Sequence, residues 1–205
     1  WHGSESPTLA FLQPGQVGIT KAQKATAWFF LVVAVLFLIQ LMVGGAIQHY
    51  RSDLTSFFGI DLAQVLPFNL ARTWHVQLSL LWTAAAFLAA AIFLAPIISG
   101  REPRRQHWLA YGLLGALAVV VAGTLVGTAV STFGPEWAEG SIFFDQQWEY
   151  LDLPRFWQIL LVIGLFLWFV IIYRAIRSRL RTESKFNMPW LFLYAALAIP
   201  AFYAV

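Results

Sequence analysis

The sequence RTWHVQL, residues 72–78, stands at the head of the apolar run that decides the fold. From His75 to Ile98 this run contains no charged residue. At about 1.5 Å per residue it is long enough to cross a hydrocarbon core of roughly 30 Å. The sequence therefore predicts a membrane-spanning helix that begins near Arg72 and ends near Ile98.

The composition of the whole chain is that of a polytopic membrane protein. Of its 205 residues, 60% are hydrophobic, 17% are aromatic and only 11% are charged, far from the balance of a soluble domain. The net charge is +3, but the basic residues cluster in short loops between apolar runs, which argues against a nucleic-acid partner. The chain has no cysteine, so within these residues disulfides, thiolate ligation of haem, iron–sulfur clusters and covalent haem attachment at a Cys-x-x-Cys-His motif are excluded.

The apolar runs predict an all-α polytopic membrane protein with four complete transmembrane helices and a truncated fifth. The predicted helices are about 25–48, 72–98, 108–131, 154–173 and 190–205, and residues 1–24 form a polar segment on the membrane surface. We therefore divide the chain into a surface segment, 1–24, and a transmembrane helical fragment, 25–205. The fifth run has 16 residues and spans only about 24 Å, and the chain does not begin with methionine, so we expect a piece of a longer protein.

Several residues predict how these helices begin, end and pack. Thr20 and Gln23 are spaced as a capping box for the first helix. Asp152 is the predicted N-cap of the fourth helix, with Pro154 in its first turn. Pro96 and Gly100 are expected to end the second helix. The remaining glycines favour close helix contact, at Gly44 and Gly45 in the first helix and at Gly112, Gly115, Gly123 and Gly127 in the third.

The basic residues predict the orientation of the chain. Ten of the thirteen Lys and Arg fall in residues 1–24, 101–107 and 174–185, on one side of the membrane. By the positive-inside rule these segments are cytoplasmic. Arg72, His75 and the acidic loop 132–153 are then on the outer side.

His75 and Arg72 form the candidate site. A histidine one turn inside a spanning helix is costly to leave unpaired. Arg72 lies three residues earlier, on the same face and nearer water. This pair suits a haem, with iron at the imidazole and propionates at the guanidinium. It equally suits an interfacial His and Arg that pack against neighbouring helices and lipid headgroups.

The other candidate ligands are fewer. His49 is on the same side as His75 at a comparable predicted depth, so it is either a second haem ligand or an interfacial residue. Glu149 and Asp152 precede the fourth helix on the outer side. Their oxygens suit Ca²⁺ or an arginine, and the alternative is a solvated acidic loop with a helix cap.

Several blocks of sequence resemble the large catalytic subunit of the bacterial nitric oxide reductases, within the haem–copper oxidase superfamily. They are ARTWHVQL at 71–78, APIISGREP at 95–103 and WEYLDLPRFWQ at 148–158. The stretches AQKATAWFF at 22–30 and HYR at 49–51 through FFG at 57–59 are most similar to the quinol-dependent, single-chain branch. Pro154 stands where the family pattern has glycine.

This resemblance implies a function for each matching residue. His75 would be an axial ligand of the low-spin haem b, Arg72 would neutralise a propionate, and Glu149 would belong to a Ca²⁺ site. The second ligand of that haem, the high-spin haem b3 and the non-haem iron would be held by later helices, so no catalytic residue is expected here.

The complete enzyme would lie in the bacterial cytoplasmic (inner) membrane, as a multi-pass protein with further helices and a periplasmic domain. With electrons from quinol it would catalyse 2 NO + 2 e⁻ + 2 H⁺ → N₂O + H₂O, a reaction of denitrification. Two alternatives stay open. One is an oxygen-reducing haem–copper terminal oxidase. The other is a non-redox transporter or scaffold in which His75 hydrogen-bonds a neighbouring helix.

Overall fold

A computed structural model of the chain describes residues 18–53, 56–145 and 152–204. In these ranges the fold is all-α, as the sequence predicts. The α-helices are α1 Lys21–His49, α2 Phe68–Ser99, α3 Gln106–Phe133, α4 Arg155–Leu180 and α5 Met188–Ala204. The first four are long and apolar enough to cross a membrane, and α5 is a shorter apolar helix of 17 residues.

The helix ends differ from the predicted ones in three ways that matter for function. Helix α2 begins at Phe68, a full turn before Arg72, so His75 lies two turns inside the helix. Pro96 does not end α2 but lies within it, and the helix stops at Gly100, whose φ of 72° is left-handed. Helix α4 continues past Tyr173 to Leu180, so the first arginines of the basic stretch are helical.

The start of α1 confirms the predicted capping box. The Gln23 amide N–H donates to Thr20 Oγ1 at 3.2 Å, and the Thr20 N–H donates to Gln23 Oε1 at 2.9 Å. The Gln23 side chain also donates to the Phe93 carbonyl at 2.9 Å, and the Ala22 N–H donates to Glu102 Oε2 at 2.9 Å. The first turn of α1 is therefore also hydrogen-bonded to the C-terminal part of α2 and to the turn that follows it.

The start of α4 corrects a prediction. Asp152 is not the N-cap, since that position belongs to Pro154 and Asp152 has a φ of 50°. A residue before proline is held in an extended conformation, so Leu153 cannot be helical and the helix starts only at Arg155. The N-cap residue Pro154 makes no side-chain cap hydrogen bond to the first turn.

Helix α2 is the centre of the fold, because it packs against each of the other four helices. Its buried face is rich in alanine, which lets neighbouring backbones approach closely. These alanines are Ala84, Ala85, Ala89, Ala91 and Ala95. On the α4 side the fully buried Trp168 donates its indole N–H to the Leu88 carbonyl at 3.3 Å.

The glycines of α3 divide into two groups. A Cβ at Gly123 would lie 2.3 Å from the Trp157 ring of α4, and a Cβ at Gly127 would lie 2.6 Å from the Phe143 carbonyl. Gly112 and Gly115 have nothing within 4 Å of such a Cβ. The prediction of a packing surface is thus confirmed for Gly123 and Gly127, whereas Gly112 and Gly115 pack against nothing in the part of the chain that the structure describes.

Candidate functional site

His75 faces α1, and its ring is held by the backbone of that helix. The Nδ1 atom lies 3.2 Å from the carbonyl oxygen of Gln40. A carbonyl can only accept, so Nδ1 carries a proton, and in the neutral ring Nε2 is the nitrogen with the lone pair. A ring N–H bonded to a carbonyl is also how proteins orient a metal-ligating imidazole.

The imidazole ring lies directly against Gly44 of α1. A Cβ built at Gly44 would come within 3.0 Å of His75 Cε1 and 3.2 Å of Nδ1. A Cβ at Gly45 would meet nothing within 4 Å among the described residues. Only Gly44, therefore, provides the close contact predicted for this glycine pair.

A second contact between α1 and α2 lies two turns further along α2. Trp82, seven residues after His75 and on the same face, donates its indole N–H to Gln40 Oε1 at 2.5 Å. The Trp82 ring also meets Phe37 edge-on, with ring centroids 5.3 Å apart. Gln40 thus binds α2 twice, once through its carbonyl and once through its side chain. Sequence reasoning missed it, although an amide inside an uncharged apolar helix was the available signal.

Arg72 is exposed near the N-terminal end of α2, about one turn before His75. Within the described residues its guanidinium has no hydrogen-bond or ion-pair partner. Its five N–H donors are therefore available to an anionic group near His75.

His49 does not join His75. Its ring packs instead on Phe57 and Phe58, with centroid distances of 4.8 and 5.4 Å. Since His75 lies against Gly44, His49 is five residues further along α1, or about 7.5 Å along the axis. The two imidazoles therefore lie at different depths. Glu149 lies outside the described residues.

Tyr50 holds the loop beside His49 in place with a hydrogen bond. Its side chain is buried and donates its O–H to the Leu66 carbonyl at 2.5 Å. Burial, and then the nearby charge of Asp61, raise the pKa of Tyr50. The phenol is therefore neutral and holds the loop between α1 and α2 to the C-terminal end of α1.

The opposite face of α2 carries a polar network that sequence reasoning also missed. Trp74 donates its indole N–H to Thr128 Oγ1 at 3.0 Å. Gln77, fully buried, donates its side-chain amide to the Asp152 carbonyl, and its Oε1 lies 3.5 Å from Thr128 Oγ1. Trp74 and Gln77 flank His75 in sequence, so these bonds fix the rotation of α2 about its axis. They also join it to α3 and to the segment that leads into α4.

A small polar cavity adjoins this network. It has a volume of about 210 Å³ and lies between the start of α2 and the end of α3. Its lining is made of hydroxyl and amide side chains, namely Asn69, Thr73, Thr128, Ser131 and Thr132. A space of this size with these donors and acceptors can hold several water molecules.

The residues present fit one axial ligand of a haem. The imidazole is oriented by a carbonyl. Among the described residues its Nε2 has no partner, nor has the Arg72 guanidinium one turn away. No group of three or more His, Asp or Glu in the described ranges is arranged to hold a metal ion. The described part of the site therefore offers a single metal-ligating side chain.

The fold and the site together define a polytopic helical membrane protein with one oriented imidazole inside a spanning helix. The family model for cytochrome c and quinol oxidase polypeptide I matches residues 24–205. The chain belongs to this family, which is that of subunit I of the haem–copper oxidases. Its members are oxidoreductases, and they generally bind haems and metal. A search of curated proteins finds no match.

Proposed function

We propose that this chain is the electron-receiving part of a quinol-dependent nitric oxide reductase, with His75 as an axial ligand of a low-spin haem b. The observation that carries the proposal is the bond between His75 Nδ1 and the Gln40 carbonyl, which leaves Nε2 as the ligand atom. A haem bound there would supply one-electron transfer. The protein's task is to hold the imidazole still, and the contacts with Gln40 and Gly44 do this.

Arg72 would bind a haem propionate. Its guanidinium is unpaired within the described residues and lies on the His75 side of the outer end of α2. A bidentate bond to a carboxylate is the interaction for which guanidinium geometry is best suited. Glu149 would add a Ca²⁺ ligand on the same side of the membrane.

Nitric oxide is proposed as the substrate because of the blocks at 71–78, 95–103 and 148–158, which resemble nitric oxide reductases. The description of the matched family favours a second candidate, an oxygen-reducing terminal oxidase. The two differ in the metal beside the high-spin haem, which would be non-haem iron in the first and copper in the second. The scaffold alternative gains no support, since members of the matched family are oxidoreductases.

The remaining cofactors and partners follow from the same proposal. The second ligand of the low-spin haem, the high-spin haem b3 and the non-haem iron would be bound by other helices of the same enzyme. Quinol would supply the electrons, a periplasmic domain would cover the outer face, and the enzyme would lie in the bacterial inner membrane. The N-terminal end of α1 would be cytoplasmic, as the distribution of Lys and Arg indicates.

The test compares His75→Ala with His49→Ala in the intact purified enzyme. His75→Ala should abolish the low-spin α-band in the reduced-minus-oxidised spectrum and lower haem content, while His49→Ala should leave both unchanged. Unchanged spectra in both variants would show that His75 is not a ligand. Assays of N₂O formed from NO and of O₂ consumption, with iron and copper analysis, then separate the two candidate functions.

A further inference from the structure

Five arginines form a continuous patch at the end of the molecule opposite His75. Arg174, Arg177 and Arg181 follow one another at three- and four-residue spacing, so they lie on one face at the end of α4. Arg174 Nη2 donates to the carbonyl of Arg104 at 2.8 Å. This bond places Arg104 and Arg105, in the turn between α2 and α3, beside Arg174, the first of the three arginines of α4. We call these five residues the arginine patch.

The patch has no carboxylate to neutralise it in the described part of the chain. The described carboxylates at this end are Glu102 and Glu183. Glu102 accepts from the Ala22 N–H at 2.9 Å, and Glu183 accepts from Asn187 Nδ2 at 2.7 Å. No ion pair joins either of them to an arginine of the patch in these ranges. Basic residues in the last turn of α4 interact favourably with the negative end of the helix dipole. This interaction does not explain Arg104 and Arg105, which lie in the turn between α2 and α3.

An exposed apolar face continues directly from the patch. Four, seven, eight and eleven residues before Arg174, α4 presents side chains that are 40 to 63% exposed: Val170, Leu167, Phe166 and Ile163. From Ile163 to Val170 this face is about 10 Å long. Trp108, three residues after Arg105, is 66% exposed beside the patch. Tryptophan is enriched at this level, where headgroups meet acyl chains.

We propose that the arginine patch and the apolar face of α4 together bind an anionic phospholipid. The arginines would bind the headgroup phosphate, for which guanidinium groups are well suited, and the acyl chains would lie along Val170, Leu167, Phe166 and Ile163. A free phosphate would leave the apolar face unused, and a zwitterionic lipid would gain little from five cations that no described carboxylate neutralises. The proposal does not depend on the redox chemistry of the chain.

The experiment measures binding of spin-labelled phosphatidylglycerol and phosphatidylcholine to the intact purified protein in detergent. The test variant is Arg177→Gln with Arg181→Gln, because neither side chain makes a hydrogen bond within the described residues, so the fold should survive. The matched control is Lys21→Gln with Lys24→Gln, which removes the same charge from exposed positions at the start of α1, a helix that contributes no residue to the patch. A third arm adds inorganic phosphate to the wild-type protein.

We expect wild-type protein to prefer phosphatidylglycerol, and the arginine variant to bind it about tenfold more weakly. The lysine variant should bind as the wild type does. Equal losses in both variants would show that only net charge matters and would overturn the proposal. The proposal is also overturned if the wild-type protein does not prefer phosphatidylglycerol to phosphatidylcholine, or if millimolar phosphate displaces the lipid completely. If the double variant does not fold, Arg177→Gln alone should show a smaller loss of the same kind.

Discussion

The imidazole of His75 is oriented by backbone, and this limits what the sequence could reveal at the scale of a residue. His75 itself was identifiable, since it stands inside a run without charges. Its partner was not, because every residue has a carbonyl and only the register of α1 against α2 selects that of Gln40. The same register decides that Gly44 touches the ring and that Gly45 does not.

Replacing Gly44 tests this contact directly. In Gly44→Ala the new methyl would meet His75 Cε1 at 3.0 Å and Nδ1 at 3.2 Å, so the ring must shift by a few tenths of an ångström. We expect a changed low-spin haem spectrum or potential and reduced haem content in the intact enzyme. Gly45→Ala is the matched control, because its methyl meets nothing within 4 Å. Identical spectra in the two variants would show that the His75 ring does not lie against Gly44.

Glu149 is predicted to bind Ca²⁺ because the segment around it is acidic. The segment 132–153 holds five carboxylates and no basic residue, and carboxylate oxygens are the ligands that Ca²⁺ prefers. Glu149→Ala should therefore lower the bound calcium of the intact enzyme, its turnover, or both. Glu139→Ala, at an exposed position of the same loop, serves as the control. Calcium content and turnover that match the control would make Glu149 a solvated loop residue.

At the scale of helices, the length and apolar character of each run predict that a span exists but not which face it buries. The start of α4 was predicted wrongly. Asp152 is a favourable N-cap residue, but Pro154 keeps Leu153 out of the helical conformation, so the helix cannot begin there. The buried Gln77 shows a second limit. Its role in joining α2 to the Asp152 carbonyl depends on contacts across 75 residues, which no local pattern carries.

Gly123 provides the test of helix packing. A methyl at this position would lie 2.3 to 2.4 Å from three atoms of the Trp157 ring, so α3 and α4 must separate or the indole must move. Gly123→Ala should destabilise the folded protein by roughly 1–3 kcal/mol, the usual cost of overpacking. A lower midpoint of thermal unfolding in detergent measures this. Gly115→Ala, which meets nothing within 4 Å, should leave the midpoint unchanged or slightly raised. Equal midpoints for the two variants would contradict the close approach of α3 and α4.

At the scale of the whole molecule, the two ends differ in charge. The end that holds the arginine patch carries ten of the thirteen Lys and Arg, and the end near His75 has Arg51, Arg72 and Arg155. This asymmetry was visible in the sequence, because it needs only the spans and the loop charges. The geometry of the patch was not, since α4 had to continue past Tyr173 before its arginines could share one face.

The orientation itself can be measured with cysteines, because the 205 residues contain none of their own. Ser52→Cys lies in the exposed loop after α1, and Ser184→Cys lies in the exposed turn between α4 and α5. If the positive-inside rule holds, a membrane-impermeant maleimide added to intact spheroplasts should label Ser52→Cys at once. Ser184→Cys should react only after the membrane is permeabilised. The parent protein without either cysteine, and with any cysteines elsewhere replaced, gives the background. Labelling in the reverse order would place the arginine patch outside and His75 towards the cytoplasm, which would remove the periplasmic position proposed for Arg72 and Glu149. It would leave the lipid site intact, since phosphatidylglycerol can approach the patch from the leaflet on either side.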